Sequence, residues 1–289
     1  MPIMVHWGRF LAGLFKSKST ETMHVPQNTF KRALLAGQQQ YGFWLGLCSP
    51  LAAELCAHTG YDWLLVDGEH APNDLNSVIA QLHAVAASPV HPVVRLVEGN
   101  QARIKQYLDA GAQTLLVPMV ETAAQAHYLV QAMAYPPRGV RGVGTALARA
   151  AAWNMRRDYF REAEVELCLI VQIETVLGLK NLDDILAVDG VDAVFIGPAD
   201  LAASMGHLGN PGHPEVVAAV SQAIRSVRAA GKPAGTLATN RDMAWYYEEQ
   251  GVQFVALGVD TVALASAALS ILTNHRSEGE RPSAGNGAY

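Results

Sequence analysis

The sequence predicts a single parallel (β/α)8 barrel (a TIM barrel) of the α/β class, and three observations favour this fold. Apolar runs of strand length alternate with segments of helical periodicity along most of the chain. Four predicted helices are followed by a glycine just before the next strand, which is the position of a left-handed cap. These glycines are Gly60, Gly111, Gly231 and Gly251. The length of 289 residues and the hydrophobic content of 50% suit one barrel with a large core.

The predicted elements follow one another in the order that a barrel requires. Eight apolar runs are predicted as strands, at residues 43–47, 63–67, 92–96, 114–118, 167–173, 193–197, 233–237 and 254–258. Seven segments are predicted as helices, at residues 51–58, 73–87, 101–110, 123–134, 179–187, 214–230 and 241–250. A doubly wound sheet is the alternative fold. The glycine-rich residues 139–144, however, lack the GxGxxG fingerprint of a dinucleotide-binding fold and follow no strong strand.

Three segments lie outside this repeat. We expect residues 1–28 to be a flexible N-terminal extension, residues 29–273 to be the barrel domain, and residues 274–289 to be a disordered tail. The long connection at 135–166 includes a predicted helix at 145–153, and it is either a functional or interface element or a plain surface excursion.

The last predicted helix, at residues 261–272, is apolar on nearly every face. A helix of this kind is normally buried on all sides, whereas the outer ring of a barrel covers only one face. We therefore expect it to pack on a neighbouring subunit. Cover from the apolar residues 10–15 of the same chain is the alternative.

Composition excludes two classes of partner. A net charge of −5, from 21 basic and 26 acidic residues, gives no basic patch for nucleic acid. No apolar run reaches the roughly 18 residues of a membrane span. Cys48, Cys56 and Cys168 lie in apolar segments without metal-type spacing, which favours reduced cysteines and a cytoplasmic protein.

Titratable side chains follow three of the predicted strands at the point where each strand ends. They are Asp67, Glu69 and His70 after the second strand, Glu174 after the fifth and Asp200 after the sixth. Active sites of α/β barrels lie at the carboxyl ends of the strands. The sequence therefore predicts an enzyme with these residues at one mouth.

Glu174 and Asp200 are predicted to bind one divalent metal ion. Each would singly be explained by a helix cap or an ion pair with an arginine, but two carboxylates on neighbouring strands repel each other unless a cation lies between them. Oxygen ligands without cysteine indicate Mg²⁺, Mn²⁺ or Co²⁺. Two protein ligands leave positions open for a 2-oxo acid, whose ketone the metal would polarise.

His70 and Arg95 are the other predicted catalytic residues. A histidine base needs a neighbour that fixes its tautomer, and Asp109, at the end of the helix after the third strand, would serve if that helix folds back beside the mouth. Arg95 ends the third strand, where we expect it to bind a carboxylate or a developing oxyanion. The alternative for Arg95 is an ion pair with Asp67 or Glu69.

The sequence excludes two covalent mechanisms. No lysine lies at the carboxyl end of a predicted strand, where a Schiff base would form, and there is no GxSxG or Cys–His nucleophile. Of the mechanisms considered, the one that remains is metal-assisted formation of an enolate.

Several motifs in a fixed order resemble the class II (metal-dependent) pyruvate aldolases, which have a phosphoenolpyruvate/pyruvate-type barrel. The resemblance covers residues 30–272. The matching segments are FWLGL at 43–47, WLLVDGEHAP at 63–72, GAQTLLVPM at 111–119, YPPRGVRGVG at 135–144, VQIET at 171–175, FIGPADL at 195–201 and VALGVD at 255–260.

This resemblance implies roles for single residues. Glu174 and Asp200 would hold the metal, and Arg95 would steady the pyruvate enolate. His70, paired with Asp109, would transfer protons through water. The substrate-binding residues would be Gln172, Pro198, Ala199, Asp200 and Leu237.

The resemblance also implies an activity and an assembly. We expect retro-aldol cleavage of 4-hydroxy-2-oxoheptanedioate to pyruvate and succinate semialdehyde, a step in the degradation of aromatic compounds, by a homohexamer that exchanges its last helix between barrels. A 2-dehydro-3-deoxy sugar acid, such as 2-dehydro-3-deoxyglucarate or 2-dehydro-3-deoxyrhamnonate, is the alternative substrate. A non-catalytic binding barrel is the remote alternative.

Overall fold

Eight parallel strands close into a barrel in sequence order, with β8 paired back to β1. The computed structural model describes residues 23–238 and 240–277. The strands are β1 (Gln40–Leu45), β2 (Trp63–Asp67), β3 (His91–Arg95), β4 (Thr114–Val117), β5 (Cys168–Ile173), β6 (Ala193–Ile196), β7 (Ala234–Leu237) and β8 (Phe254–Val259). The predicted barrel is confirmed, with strand ends shifted by no more than three residues.

Helices surround the strands. They are α1 (Thr29–Leu35), α2 (Pro50–Ala57), α3 (Leu75–Val85), α4 (Gln101–Ala110), α5 (Ala123–Met133), α6 (Tyr159–Glu162), α7 (Val176–Lys180), α8 (Leu182–Leu186), α9 (Pro198–Ser204), α10 (Pro214–Ala229), α11 (Arg241–Glu249) and α12 (Asp260–Ser277). The four glycines predicted to follow helices all have positive φ, between 76° and 102°. Within the described residues, no helix is long and apolar enough to cross a membrane.

The predicted helix at residues 145–153 is wrong. The structure has only a 3-10 turn there, Arg149–Ala151, and it is followed by three left-handed residues. Ala152, Trp153 and Asn154 have φ of 45°, 52° and 69°, a conformation that cannot continue a right-handed helix. The predicted helix at 179–187 is divided at Asn181 into α7 and α8.

The short helix α1, which was not predicted, closes the amino-terminal end of the barrel. Its Phe30 is 1% exposed. The Phe30 ring lies 5.8 Å from the rings of Trp63 and His91 and 5.5 Å from the Phe254 ring. This aromatic plug leaves the opposite end, where the strands end, as the open mouth.

Hydrogen bonds attach the chain before α1 to the barrel. The backbone N–H of Asn28 donates to Glu166 at 2.7 Å, and its side-chain amide donates to Thr114 at 2.9 Å. Residues 23–28, the end of the predicted extension, are thus held in place. At the other terminus, α12 continues to Ser277, beyond the predicted domain end at 273. Residues 1–22, with the predicted alternative cover at 10–15, and residues 278–289 lie outside the described part of the chain.

Candidate active site

A cavity of about 540 Å³ opens at the carboxyl ends of the strands. This volume is within the range of small-molecule sites. Its lining contains seven of the nine predicted site residues, namely His70, Arg95, Gln172, Pro198, Ala199, Asp200 and Leu237. Glu174 lies directly behind this lining, because the Gln172 amide donates a hydrogen bond to its carboxylate. The strand ends therefore bring together every predicted site residue except Asp109.

Arg95 lies in a cage of two carboxylates. Asp67 is its register partner on the neighbouring strand β2. The Arg95 Nε and Nη2 donate to the two Asp67 oxygens at 2.9 and 2.6 Å, and Nη1 lies 2.8 Å from Glu69 Oε2. The ion pairs considered as the alternative for Arg95 are thus present. A guanidinium has five N–H donors, and among the described residues the Asp67 hydrogen bonds engage only two of them.

The two carboxylates respond differently to this cage. Burial alone would raise the pKa of Asp67, but the hydrogen bonds and charge of Arg95 outweigh it and lower that pKa. Burial raises the pKa of Glu69, and the charges of Arg95 and His70 only partly oppose the shift. Asp67 is therefore the fixed ionic partner of Arg95, whereas Glu69 is the more easily protonated one.

Glu174 is the most buried carboxylate at the mouth, with 2% of its surface exposed. One oxygen accepts the backbone N–H of Met119 at 2.8 Å, and the other accepts the Gln172 amide. Met119 has φ of 56°, in the left-handed region that non-glycine residues rarely adopt. Gly197 lies against the same carboxylate, since a Cβ there would be 2.6 Å from Glu174 Oε2.

Burial raises the pKa of Glu174 to about 7, and the negative charges of Glu69 and Asp200 add to the shift. Asp200 stands exposed in the first turn of α9. Three acidic groups thus share one electrostatic environment at the mouth. A divalent cation would offset both their repulsion and the burial of Glu174, and their oxygen donors suit such an ion.

His70 and Asp109 are not brought together within one chain. His70 is exposed at the rim, and its Nε2 lies 3.9 Å from Glu69 Oε2. Asp109 lies near the end of α4, a helix that runs away from the mouth, and accepts a 2.7 Å hydrogen bond from Arg141 Nη2. The predicted fold-back of α4 beside the mouth does not occur.

The cavity also contains residues that the sequence analysis did not single out. Trp44 on β1 lies with its ring 5.1 Å from the Arg95 guanidinium and donates its indole N–H to Asp67 at 3.2 Å. Asn240, which caps α11, and Met243 and Tyr247 of that helix also line the cavity. Because side chains alternate between the two faces of a strand, the sequence could have predicted that Trp44 points into the barrel. No feature of the sequence indicates the residues of α11.

A second group of potential metal ligands lies on the loop before α10 and in the first turn of that helix. His207, His213 and Glu215 have their ligand atoms within 4.8 Å of one another. His207 pairs with Glu215 at 3.0 Å, and the two imidazole rings stack at 3.6 Å. His213 also caps α10 by accepting the Glu215 N–H. Parallel rings cannot both direct a nitrogen at one ion, so these contacts account for the group as a structural one.

Comparisons with known proteins agree with this geometry. Residues 40–267 match the HpcH/HpaI aldolase/citrate lyase family. A hydroxypyruvate/pyruvate aldolase of Pseudomonas aeruginosa is 55% identical over 92% of this chain and 100% of its own length. A 4-hydroxy-2-oxo-heptane-1,7-dioate aldolase of Klebsiella pneumoniae subsp. pneumoniae is 58% identical over 83% of this chain and 91% of its own.

Solved structures share the architecture. The crystal structure of an HpcH/HpaI aldolase/citrate lyase family protein from Burkholderia cenocepacia J2315 superposes with a TM-score of 0.84 at 41% identity, covering 87% of this chain and all of that one. The resemblance inferred from the motifs is confirmed. The chain belongs to the HpcH/HpaI aldolase/citrate lyase family and is an aldolase, a carbon–carbon lyase.

Proposed function

We propose that this aldolase cleaves 4-hydroxy-2-oxoheptanedioate to pyruvate and succinate semialdehyde with the help of one divalent metal ion per subunit. The observation that carries the proposal is the meeting of Arg95, Glu174 and Asp200 at one mouth of suitable size. An arginine with free donors and a pair of acidic oxygen ligands are the groups that a 2-oxo acid requires as it becomes an enolate.

Glu174 and Asp200 would hold Mg²⁺, Mn²⁺ or Co²⁺. The cation would polarise the ketone oxygen of the substrate and lower the energy of the enolate. The chain keeps Glu174 in position through the Met119 N–H and the Gln172 amide, so this ligand is oriented in advance. Its raised pKa indicates that the metal-free carboxylate is partly protonated near neutral pH.

Other residues would bind and orient the pyruvate half of the substrate. N–H donors of Arg95 that Asp67 does not engage would face the developing oxyanion, since Asp67 and Glu69 hold the guanidinium in place. The buried Oε1 of Gln172 has no hydrogen-bond partner among the described residues, so it is free to accept one from a ligand or water. The backbone at Pro198–Ala199, where α9 begins, would contact the substrate carboxylate.

His70 would move the proton, because it is exposed at the rim and able to exchange with water. Its expected partner Asp109 is held by Arg141 far from the mouth of its own barrel. We therefore propose that any pairing of these two residues is made between subunits.

We further propose that the protein is a cytoplasmic homohexamer with α12 packed on a neighbouring barrel. The outward side chains of α12 support this proposal, as Leu264 is 60% and Ile271 is 73% exposed in the single chain. The cysteines within the described residues are free, in keeping with a reducing compartment.

Two other substrate classes remain candidates. Relatives at 55–56% identity bear the name hydroxypyruvate/pyruvate aldolase, which favours hydroxypyruvate as a second nucleophile. A 2-dehydro-3-deoxy sugar acid fits less well, because Leu237, Met243 and Val259 line the cavity with few hydrogen-bond partners for a polyhydroxylated aldehyde.

Turnover of a panel of substrates tests the proposal. The purified enzyme with Mn²⁺ would be assayed with 4-hydroxy-2-oxoheptanedioate, the hydroxypyruvate aldol of the same aldehyde, and 2-dehydro-3-deoxyglucarate. We expect the highest kcat/KM for the heptanedioate. A clear preference for either other compound would reassign the substrate, and absence of cleavage with all three would contradict the proposal.

A further inference from the structure

A second large cavity lies at the opposite end of the barrel from the mouth. Its volume is about 520 Å³, similar to that of the mouth cavity. The walls come from residues 25–29, the end of α3, the start of β3, the loop before β4, and the irregular segment around Arg149 and Arg156. No residue of the proposed reaction lines this cavity.

The charge of this cavity is positive. Arg149 and Arg156 both line it, and no aspartate or glutamate is among the described lining residues. His91, which also lines it, is uncharged, because burial lowers its pKa to about 3. Arg156 has an acidic neighbour in Glu162, but the Glu162 carboxylate is already bonded to His24 and to the backbone N–H of Val25.

Neither guanidinium has a carboxylate partner among the described residues. Arg149 donates one hydrogen bond, to the Ala110 carbonyl at 3.0 Å. Arg156 donates to the carbonyls of His24 and Ala150. Most of their ten N–H donors have no hydrogen-bond partner among the described residues, and both side chains are half-buried. The two half-buried guanidinium groups repel each other, and an anion bound between them would offset this repulsion.

The rest of the cavity is mainly apolar. Leu82, Val85 and Leu108 form part of its wall, and the indole of Trp153 stands at its edge. Trp153 is 57% exposed and lies within the left-handed turn of residues 152–154. Sparsely populated backbone conformations of this kind are enriched at ligand sites.

We propose that this cavity binds a small amphipathic carboxylate, with the anionic group between Arg149 and Arg156 and the apolar body against Trp153. The volume suits a molecule of that size, and pockets with an apolar wall and a few convergent polar groups are typical ligand sites. Residues 1–22 of the same chain are a poorer occupant, since they carry Arg9, Lys16 and Lys18 against Glu21 and so have the same sign of charge as the cavity.

Titration calorimetry of the full-length protein with octanoate tests this proposal, with octanol as the uncharged control. We expect one octanoate to bind per chain. Octanol should bind at least about tenfold more weakly than octanoate. Arg149→Gln and Arg156→Gln should each weaken octanoate binding by about tenfold or more, because charge-assisted hydrogen bonds are lost. Arg157→Gln is the matched control, as Arg157 lies exposed on the same segment outside the cavity.

Thermal unfolding of each variant would establish that it is folded. Trp153→Ala, which leaves both arginines in place, should also weaken octanoate binding. Saturating pyruvate should leave the octanoate affinity unchanged, because no residue of the proposed reaction lines this cavity. The proposal is overturned if the full-length chain does not bind octanoate, if octanol binds equally well, if Arg157→Gln has the same effect as Arg156→Gln, or if pyruvate competes. None of these outcomes depends on the identity of the aldolase substrate.

Discussion

Arg95 combines a structural and a proposed catalytic function, and two substitutions separate them. Arg95→Ala leaves Asp67 and Glu69 buried without their cation, so we expect a loss of stability of about 3–5 kcal/mol. It should also lower kcat by about 10²–10³-fold, because an oxyanion donor acts mainly in the transition state. Compared with Arg95→Ala, Arg95→Lys should recover much of the stability but little of kcat. A lysine keeps the positive charge but cannot bind Asp67 through two parallel hydrogen bonds.

Kinetics and urea unfolding of both variants give the comparison. An Arg95→Ala enzyme with normal kcat and only a raised KM would show that the guanidinium merely binds substrate.

His70 is the residue whose loss should affect proton transfer itself. His70→Ala should slow both cleavage and the exchange of pyruvate methyl protons with solvent, by about 10²–10⁴-fold. Asp109→Asn should give a milder form of the same defect, and His58→Ala, at an exposed histidine that caps the end of α2, should give none. NMR of pyruvate in deuterated buffer measures the exchange. Unchanged exchange in His70→Ala would remove this residue from the mechanism.

The raised pKa of Glu174 predicts how the metal-free protein responds to pH. Between its ordinary value of 4.5 and the value of about 7 in the folded protein, the folded state keeps a proton that the unfolded chain has released. Stability should therefore fall as pH rises through this window, by an amount on the order of 3 kcal/mol. Above it, Mn²⁺ should raise the melting temperature by binding the ionised carboxylate.

Melting temperatures in EDTA from pH 5 to pH 8 test this expectation. Glu174→Gln, which cannot titrate, should lose both the pH dependence in this window and the response to Mn²⁺. An identical pH profile in the variant would assign the effect to other groups.

Among the described elements, α12 carries large apolar side chains that nothing in the single chain covers. Asp260 fixes its start by accepting the N–H groups of Gly46 and Leu47 at 2.7 and 3.1 Å. Beyond that point, side chains on opposite faces are exposed, with Leu264 at 60% and Leu269 at 65%. A helix with two uncovered apolar faces indicates a partner.

We expect the double substitution Leu264→Glu and Ile271→Glu to dissociate the oligomer, because charges would be buried in the interface. Light scattering measures the mass, and Leu208→Glu, at an exposed leucine outside α12, is the control. A native chain that runs as a 31.0 kDa monomer would contradict the proposed assembly.

The strands were predictable because a fully buried strand is a short apolar run, as in β2, whose bounds agree with the prediction at both ends. The structure of residues 145–153 was not predictable in this way. Their alanine content favours a helix, whereas the left-handed conformation of residues 152–154 is incompatible with one. Tertiary contacts determine that conformation, and the helix propensity of single residues takes no account of such contacts.

The same distinction applies to the site. Residues directly after strands could be placed at the mouth from the sequence, and the structure brings them there. The bidentate pair of Arg95 with Asp67 depends on the register between β2 and β3, which a single sequence leaves open. Asp109 was expected at the mouth on the assumption that α4 folds back beside it, but α4 runs away from the mouth and Arg141 holds Asp109 near the far end of that helix.

At the scale of the whole molecule, the barrel separates the mouth cavity from the cavity at Arg149 and Arg156. The mouth at the strand ends carries the acidic groups and Arg95, and the far end, closed by Phe30, carries Arg149 and Arg156. Catalysis and the proposed anion binding are therefore open to independent measurement on one protein.

The central claim is that cleavage depends on a metal held by Glu174 and Asp200, and the most direct measurement is the rate of 4-hydroxy-2-oxoheptanedioate cleavage before and after removal of metal. We predict that EDTA abolishes cleavage, that Mn²⁺, Co²⁺ or Mg²⁺ restores it, and that Glu174→Gln is not restored. Full activity in the chelator, or an enzyme–substrate adduct trapped by borohydride, would contradict the account in favour of an imine mechanism.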